Sequence, residues 1–327
     1  MLSTRLELAA ARGLTDAPGE GRVAVFGARS PEALDVWSRD RVRVMQGNRP
    51  EHDALAQGGW TVGSGDPGPA DMALVVLPRS KAAGRDLVAR AAAAVGDGPV
   101  LIDGQKTDGV ESLLKSLRGR AEVGETIAKA HGKMSLVRAL DVADWRAVPQ
   151  TGSEGFVTVP GVFSADGIDR ASRMLADALP ERLSGDVIDL GAGWGYLAAR
   201  VLEREAVRSC HLVEADAAAL ECARRNVTDD RAVLHWADAT AFTPEARVGT
   251  VVTNPPFHTG RAAEPDLGRA FIATAARCLM PSGSVWLVAN RHLPYERTLA
   301  DLFIEVDEAG GDAGFKILHA RRPKRSR

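Results

Sequence analysis

Apolar residues run along this chain in short β-branched bursts separated by longer helical repeats, an alternation that predicts a mainly parallel sheet with helices on both faces. Arg22-Val23-Ala24-Val25-Phe26-Gly27 reads as a first strand, and residues 71–78 as a buried one. An alanine-rich helical stretch, 82–95, leads into the apolar run 99–104. The plan then recurs. Strands are expected at 186–190, 211–214, 232–237, 251–254, 284–289 and 314–320, and the last has an earlier echo at 132–139. The first half thus reads as a worn copy of the second. Two α/β domains are expected, residues 1–150 and 151–327, joined near 145–153, where periodicity stops and proline, glycine and serine collect.

The second copy carries the chemistry-bearing residues. Asp189-Leu190-Gly191-Ala192-Gly193-Trp194-Gly195 follows an apolar strand and precedes a helical pattern, and glycines there let the backbone pass close under a ligand. A nucleotide or nucleoside suits such a turn. Tyr196 stands where a nicotinamide-binding fingerprint wants glycine or alanine. Glu214 ends the next strand about twenty residues on, the spacing at which a carboxylate meets ribose hydroxyls, with a surface acid as the alternative. Asp238 follows the third strand and Ala237, and could equally cap a helix. Then comes Thr253-Asn254-Pro255-Pro256-Phe257-His258, which sets a carboxamide, two prolines and an aromatic in succession. The prolines fix φ and remove two N–H donors, so carbonyl oxygens face a guest that can donate. A flat group bearing an exocyclic amine fits that corner; an ordinary proline turn is the alternative.

This ordered set resembles the class I S-adenosylmethionine (SAM) methyltransferases. The strings Gly161-Val162-Phe163-Ser164-Ala165-Asp166-Gly167-Ile168-Asp169, Asn254-Pro255-Pro256-Phe257-His258, Ala289-Asn290-Arg291-His292-Leu293-Pro294-Tyr295 and residues 314–320 are similar to the ribosomal RNA guanine-N2 methyltransferases of the RsmC and RlmG type. The likeness covers the second half closely and the first loosely. It implies two tandem Rossmann-like methyltransferase domains, the N-terminal one degenerate and serving to support or position substrate. Asp189, Gly191, Ala192 and Gly193 would hold the amino-acid end of SAM, Glu214 the ribose, and Ala237 and Asp238 the adenine. Phe163 would sit on a segment folding over the cofactor. Asn254, Pro255, Pro256 and Phe257 would form the catalytic corner, with Asn254 also at the cofactor's edge. The resemblance implies methylation of a guanine in ribosomal RNA, usually guanine 1207 of 16S RNA within a small subunit or its precursor.

Composition changes little in this picture. The 45% hydrophobic and 26% charged residues describe an ordinary globular chain, and no apolar run approaches the ~20 residues of a membrane span. The first residues lack a signal-peptide core, so a cytoplasmic protein is expected. Cys210, Cys222 and Cys278 have no metal-ligand spacing, so neither zinc nor a disulfide framework is indicated. A net charge of −2 argues against indiscriminate nucleic-acid binding, yet residues 321–327 hold five cations, either a solvated tail or a phosphate-contacting arm. In the first copy, Pro78-Arg79-Ser80-Lys81 is expected where Asn254-Pro255-Pro256-Phe257 stands, and Arg79, Lys81 and Arg85 could meet RNA phosphates or simply water.

Other readings fit parts of the pattern. A large-subunit guanine, adenine N6 of a nucleic acid, or a protein glutamine would each present an amide or amine to the same corner, although tyrosine usually follows the prolines in the glutamine enzymes. A catalytically silent RNA-binding assembly factor and a nicotinamide dehydrogenase are the readings from other classes.

Overall fold

A computed structural model describes residues 1–256 and 265–324 of the chain. They form two compact units, Met1–Pro149 and Gln150–Arg327.

In the first unit, helix α1 (Leu2–Ala10) precedes strands β1 (Val23–Phe26), β2 (Val42–Met45), β3 (Thr61–Gly63), β4 (Met72–Val76), β5 (Val100–Gln105), β6 (Glu122–Lys129) and β7 (Gly132–Arg138). Helices α2 (Arg49–Gln57), α3 (Lys81–Val95) and α4 (Val110–Ser116) lie among them in sequence. The strands assemble in the order β3-β2-β1-β4-β5-β7-β6, with β7 antiparallel to both neighbours and the other pairs parallel. Such a sheet is covered on both faces, which is why β1 and nearly all of β4 are buried along their length. Polar side chains start the helices: Asn48 and Ser80 accept from the backbone N–H three residues on.

The second unit opens on a small hairpin, β8 (Gln150–Thr151) with β9 (Val157–Thr158), followed by α5 (Arg170–Ala178). Then come β10 (Gly185–Leu190), α6 (Tyr196–Leu202), β11 (Val207–Glu214), α7 (Ala217–Asn226), β12 (Ala232–Trp236), β13 (Val248–Thr253), α8 (Pro265–Cys278), β14 (Leu279–Asn290), α9 (Tyr295–Leu302), β15 (Phe303–Gly311) and β16 (Phe315–Pro323). The order β12-β11-β10-β13-β14-β16-β15 repeats the first sheet strand for strand. Alternate residues of β10 enter different cores: Val187 packs with α5, α6 and α7, while Ile188 and Leu190 pack with α8 and α9. The crossover from β12 to β13 runs through turns rather than a helix. In each sheet the order reverses at one place, between β1 and β4 and between β10 and β13, and carboxyl ends of strands at such a reversal leave a crevice.

Two expectations change at this level. The basic tail is neither loose nor an arm as far as Lys324: β16 runs through Pro323, and Arg321 and Arg322 pair with Glu305 and Asp307 of β15. Acidic side chains on the neighbouring antiparallel strand hold it; residues 325–327 lie outside the described residues. Strand register also shifts the correspondence between the halves. The N–H groups of Gly27 and Gly191 bond to the carbonyls of Met45 and Val213, so these glycines are equivalent. Val25 then pairs with Leu74 as Asp189 pairs with Val252, which places Val76, not Pro78, at the position of Asn254. All three cysteines are buried. No helix among the described residues is long and apolar enough to cross a membrane.

Candidate functional site

The reversal in the second sheet gathers the sequence-marked residues. The buried Thr253 hydroxyl donates to the Leu190 carbonyl at 2.6 Å, extending the β10–β13 pairing by one link and setting Asn254 beside the glycine turn. From the other side, the N–H groups of Gly191 and Ala192 both bond to the Val213 carbonyl, which brings Glu214 to the same turn. Glu214 accepts from the N–H groups of Gly193 and Asp216, each at 2.7 Å, and its own carbonyl receives the N–H of Ala237. Burial raises its pKa while those backbone donors oppose the rise.

The three glycines of the turn do different work. All have positive φ, but a Cβ at Gly191 would strike the Phe271 ring at 2.9 Å, and one at Gly195 would meet Val227 at 2.8 Å. Those two are needed for internal packing. A Cβ at Gly193 would meet nothing within 4 Å, so Gly193, at φ 55°, is the one whose backbone borders open space. Of the three, only Gly193 has open space where a side chain would stand.

Beneath the turn lies Asp189, fully buried, with neither carboxylate oxygen hydrogen-bonded to a described residue. Burial pushes its pKa up to about 7; the α6 backbone near Ala198 opposes this and the neighbouring Glu214 charge adds to it. An unpartnered carboxyl in a protein interior costs stability, so its retention at a crevice floor points to a ligand-facing role.

Asn254 shows the same signature in a sharper form. Its Nδ2 donates to Asp169 Oδ2 at 3.0 Å and to Ser172 Oγ at 2.8 Å, while its Oδ1 is buried without a partner among the described residues. Pro255 is buried and Pro256 exposed. Phe257 and His258 lie outside the described residues.

Asp238 and Phe163 have settings of their own. Asp238 neither starts a helix nor stands clear, for its Oδ1 accepts from the Thr240 N–H and hydroxyl and closes a turn. Phe163 is 62% exposed, and its carbonyl accepts from Trp194 Nε1 at 2.9 Å. Sequence reasoning passed over the groups that fasten this segment. Trp194, unusual in a glycine turn, packs on Phe156 and Tyr196 and ties the turn to Phe163. Asn226 accepts from the Val157 N–H and donates to the carbonyls of Val157 and Trp194. The misfit of Trp194 was a legible signal; a lone asparagine at a helix end was not.

Comparison with known proteins places this arrangement. Residues 154–319 match the family model for the methyltransferase small domain. Ribosomal RNA small subunit methyltransferase C of Shewanella sp. strain MR-4 is 31% identical over 261 residues, 76% of each chain, and the protein of that name from Vibrio cholerae is 28% identical over 77% of this chain and 78% of its own. Among solved structures, the Thermus thermophilus enzyme described as 16S rRNA N2 G1207 methyltransferase, in complex with AdoMet and guanosine, aligns with a TM-score of 0.78 and 28% identity. That alignment covers 93% of this chain and 89% of the other.

Proposed function

The chain belongs to the methyltransferase small domain family, among the class I SAM-dependent enzymes related to ribosomal RNA small subunit methyltransferase C, and on that premise we propose that it methylates the exocyclic N2 amine of a guanine in 16S ribosomal RNA, at position 1207. The observation that carries the reading is the unpartnered Asn254 oxygen at the reversal of the sheet, within one strand of the open face of Gly193.

SAM, when bound, supplies an electrophilic methyl group that needs no activation. The harder partner is guanine N2, whose lone pair is drawn into the ring. The Asn254 oxygen accepts one N2–H and the Pro255 carbonyl the other, which draws the nitrogen toward tetrahedral geometry and offsets the positive charge developing on it. Phe257, which lies outside the described residues, would stack on the base and fix its plane. Holding nitrogen and methyl carbon in line accounts for much of the rate, up to roughly 7–11 kcal/mol in intramolecular analogues. No strong base is required, because the methylated ammonium is acidic enough to lose its proton to a carbonyl or water. Gly193 would let the cofactor's amino-acid end approach the turn, Glu214 would meet the ribose hydroxyls, Ala237 and Asp238 would border the adenine, and the Phe163 segment would cover the site. Asp189 fits as a buried acid under the amino-acid end.

The substrate is a small ribosomal subunit or its precursor, in the cytoplasm, since the target base must be turned out of its stack at a cost of a few kcal/mol. The first unit contributes to holding it. A cleft lined by Arg79, Lys81 and Lys106, with Asp108 and Glu111 among them, offers three cations against two carboxylates to a phosphate backbone. Arg85 is exposed, with its guanidinium 5.2 Å from the centre of the Trp145 ring.

Mass mapping of ribosomal RNA nucleosides from a strain lacking the gene, with purified protein added back to its small subunits, tests the reading. N2-methylguanosine at position 1207 should be missing in the strain and restored by the protein with SAM. Methylation restored at an adenine, or at no nucleotide, would overturn it.

A further inference from the structure

An asparagine side chain is nearly symmetric in shape, so the chain must decide which end of the Asn254 amide faces the reacting amine. With the oxygen outward it accepts from N2–H. With the amide reversed, it would aim two N–H groups at an amine and repel it. The surroundings discriminate between these states. Asp169 Oδ2 lies 3.0 Å from Nδ2, and a carboxylate oxygen at that place can accept but not donate. Reversal would set the amide oxygen against it. Ser172 Oγ, 2.8 Å away, could accept or donate and so supports either orientation without choosing. Asp169 is the asymmetric element.

The geometry leads us to infer that Asp169, supported by Ser172, is a positioning residue that locks the Asn254 amide with its oxygen toward the reacting nitrogen; the inference rests on the acceptor role proposed for Asn254. One carboxylate thereby performs two tasks. The same Oδ2 accepts the Ser172 N–H at 2.8 Å, capping α5, so the start of that helix and the orientation of the amide share one atom. Sequence alone hides this, because Asp169 and Asn254 stand 85 positions apart and Asp169 reads as a helix cap. The lock also alters what aspartate does at position 254. It keeps an acceptor but places two carboxylates about 3 Å apart.

The two tasks can be separated in the full-length protein acting on small subunits that lack the modification. Asp169→Ser preserves a good helix cap but removes the carboxylate that distinguishes the ends of the amide. It should lower kcat roughly ten- to a hundredfold, the scale at which an outer partner of a reacting group acts, with SAM affinity and KM near the parent's. Ser172→Ala should lower kcat by less. The deciding measurement adds each change to Asn254→Ala, where no amide is left to orient. Both should then cost nothing further, whereas a merely structural role would cost the same in both backgrounds. Equal losses with and without Asn254, or a parental kcat for Asp169→Ser, overturn the inference while leaving the acceptor reading intact. If Asn254→Ala itself keeps the parental rate, the acceptor reading fails first. Should Asp169→Ser fold poorly, Asp169→Thr, a second helix cap without a carboxylate, carries the same test in the same cycle.

Discussion

The two sheets of this chain have one strand order and different contents at the reversal, so they work as an internal control on what the site requires. Anchored on Gly27 and Gly191, the register aligns Gly27-Ala28-Arg29 with Gly191-Ala192-Gly193. Arg29 thus stands where the backbone of the second turn meets open space. Gly27 has positive φ like Gly191, but a Cβ there would lie 2.7 Å from the Val76 carbonyl, so the first unit packs its own backbone against the crevice. Val25 replaces Asp189, and Val76 replaces Asn254. The most telling pair is Gln46 with Glu214. Each side chain accepts the N–H two residues on, of Asn48 and of Asp216, but Gln46 spends its donors on the Ala28 carbonyl and Glu51. Among the described residues the first unit leaves no buried side-chain polar atom unpartnered, whereas the second leaves the Asp189 and Asn254 oxygens so, along with Arg200 Nε and the Tyr295 hydroxyl. A fold that has stopped binding a ligand can pair everything, whereas one that binds must keep acceptors waiting.

The comparison breaks most severely if the residue of one unit is moved into the other. Gly193→Arg installs the arginine of the first turn in the second, at a positive φ that side chains resist and in the only open space of the turn's three glycine positions. SAM binding by calorimetry should disappear in a variant whose circular dichroism matches the parent, and an unchanged affinity would detach the cofactor from this turn. Next in size is Asn254→Ala. The methyl-transfer rate should fall by roughly two to three orders of magnitude with SAM affinity nearly constant, as when one preorganised transition-state partner is lost. A parental rate would reduce the motif to a turn.

A milder test asks whether the first unit keeps any task. Replacing Arg79 and Lys106 together by alanine should weaken binding of small subunits and reduce the slope of log K against log salt by about 2, one for each lost phosphate contact. SAM affinity should not move. An unaltered slope would mean that the cationic cleft meets only water.

The smallest effect concerns Asp189. Its pKa is about 7 in the folded chain against 3.8 for an ordinary aspartate, so from pH 4 to 7 the native state holds a proton that the unfolded chain has released. Stability of the ligand-free protein from this group therefore declines as pH rises through that window and levels off above 7. Asp189→Asn removes the titration. Melting temperatures measured from pH 5 to 8 should fall less in the variant than in the parent, and parallel curves would mean that the carboxyl is not held neutral.

Periodicity was enough to reveal the repeat, because strands buried on both faces must be continuously apolar and helices between them must be amphipathic. The central strands of each half could be drawn from that alternation, but the strands at Val42–Met45, Thr61–Gly63, Glu122–Lys129 and Phe303–Gly311 were not. The order of Asp189, Gly191, Gly193, Glu214 and Asn254 along the chain was equally legible, since each lies at or just past a strand end and strand ends are where an α/β crevice opens. Local sequence could not tell which glycine meets a ligand and which meets Phe271 or Val227, for all three look alike until packing is known. Nor could it supply partners distant in sequence. The Thr253 hydroxyl on the Leu190 carbonyl, Asn226 on Val157 and Trp194, and Asp169 on the Asn254 amide join positions 32 to 85 residues apart. The sequence by itself determined the central strands, their order and the residue types waiting at their ends, because those depend on the nearest few neighbours. Only the tertiary structure decided which polar atoms are satisfied and which are left to a ligand, because hydrogen bonding at the site is settled among strands and loops that meet only after the sheet has closed around its reversal.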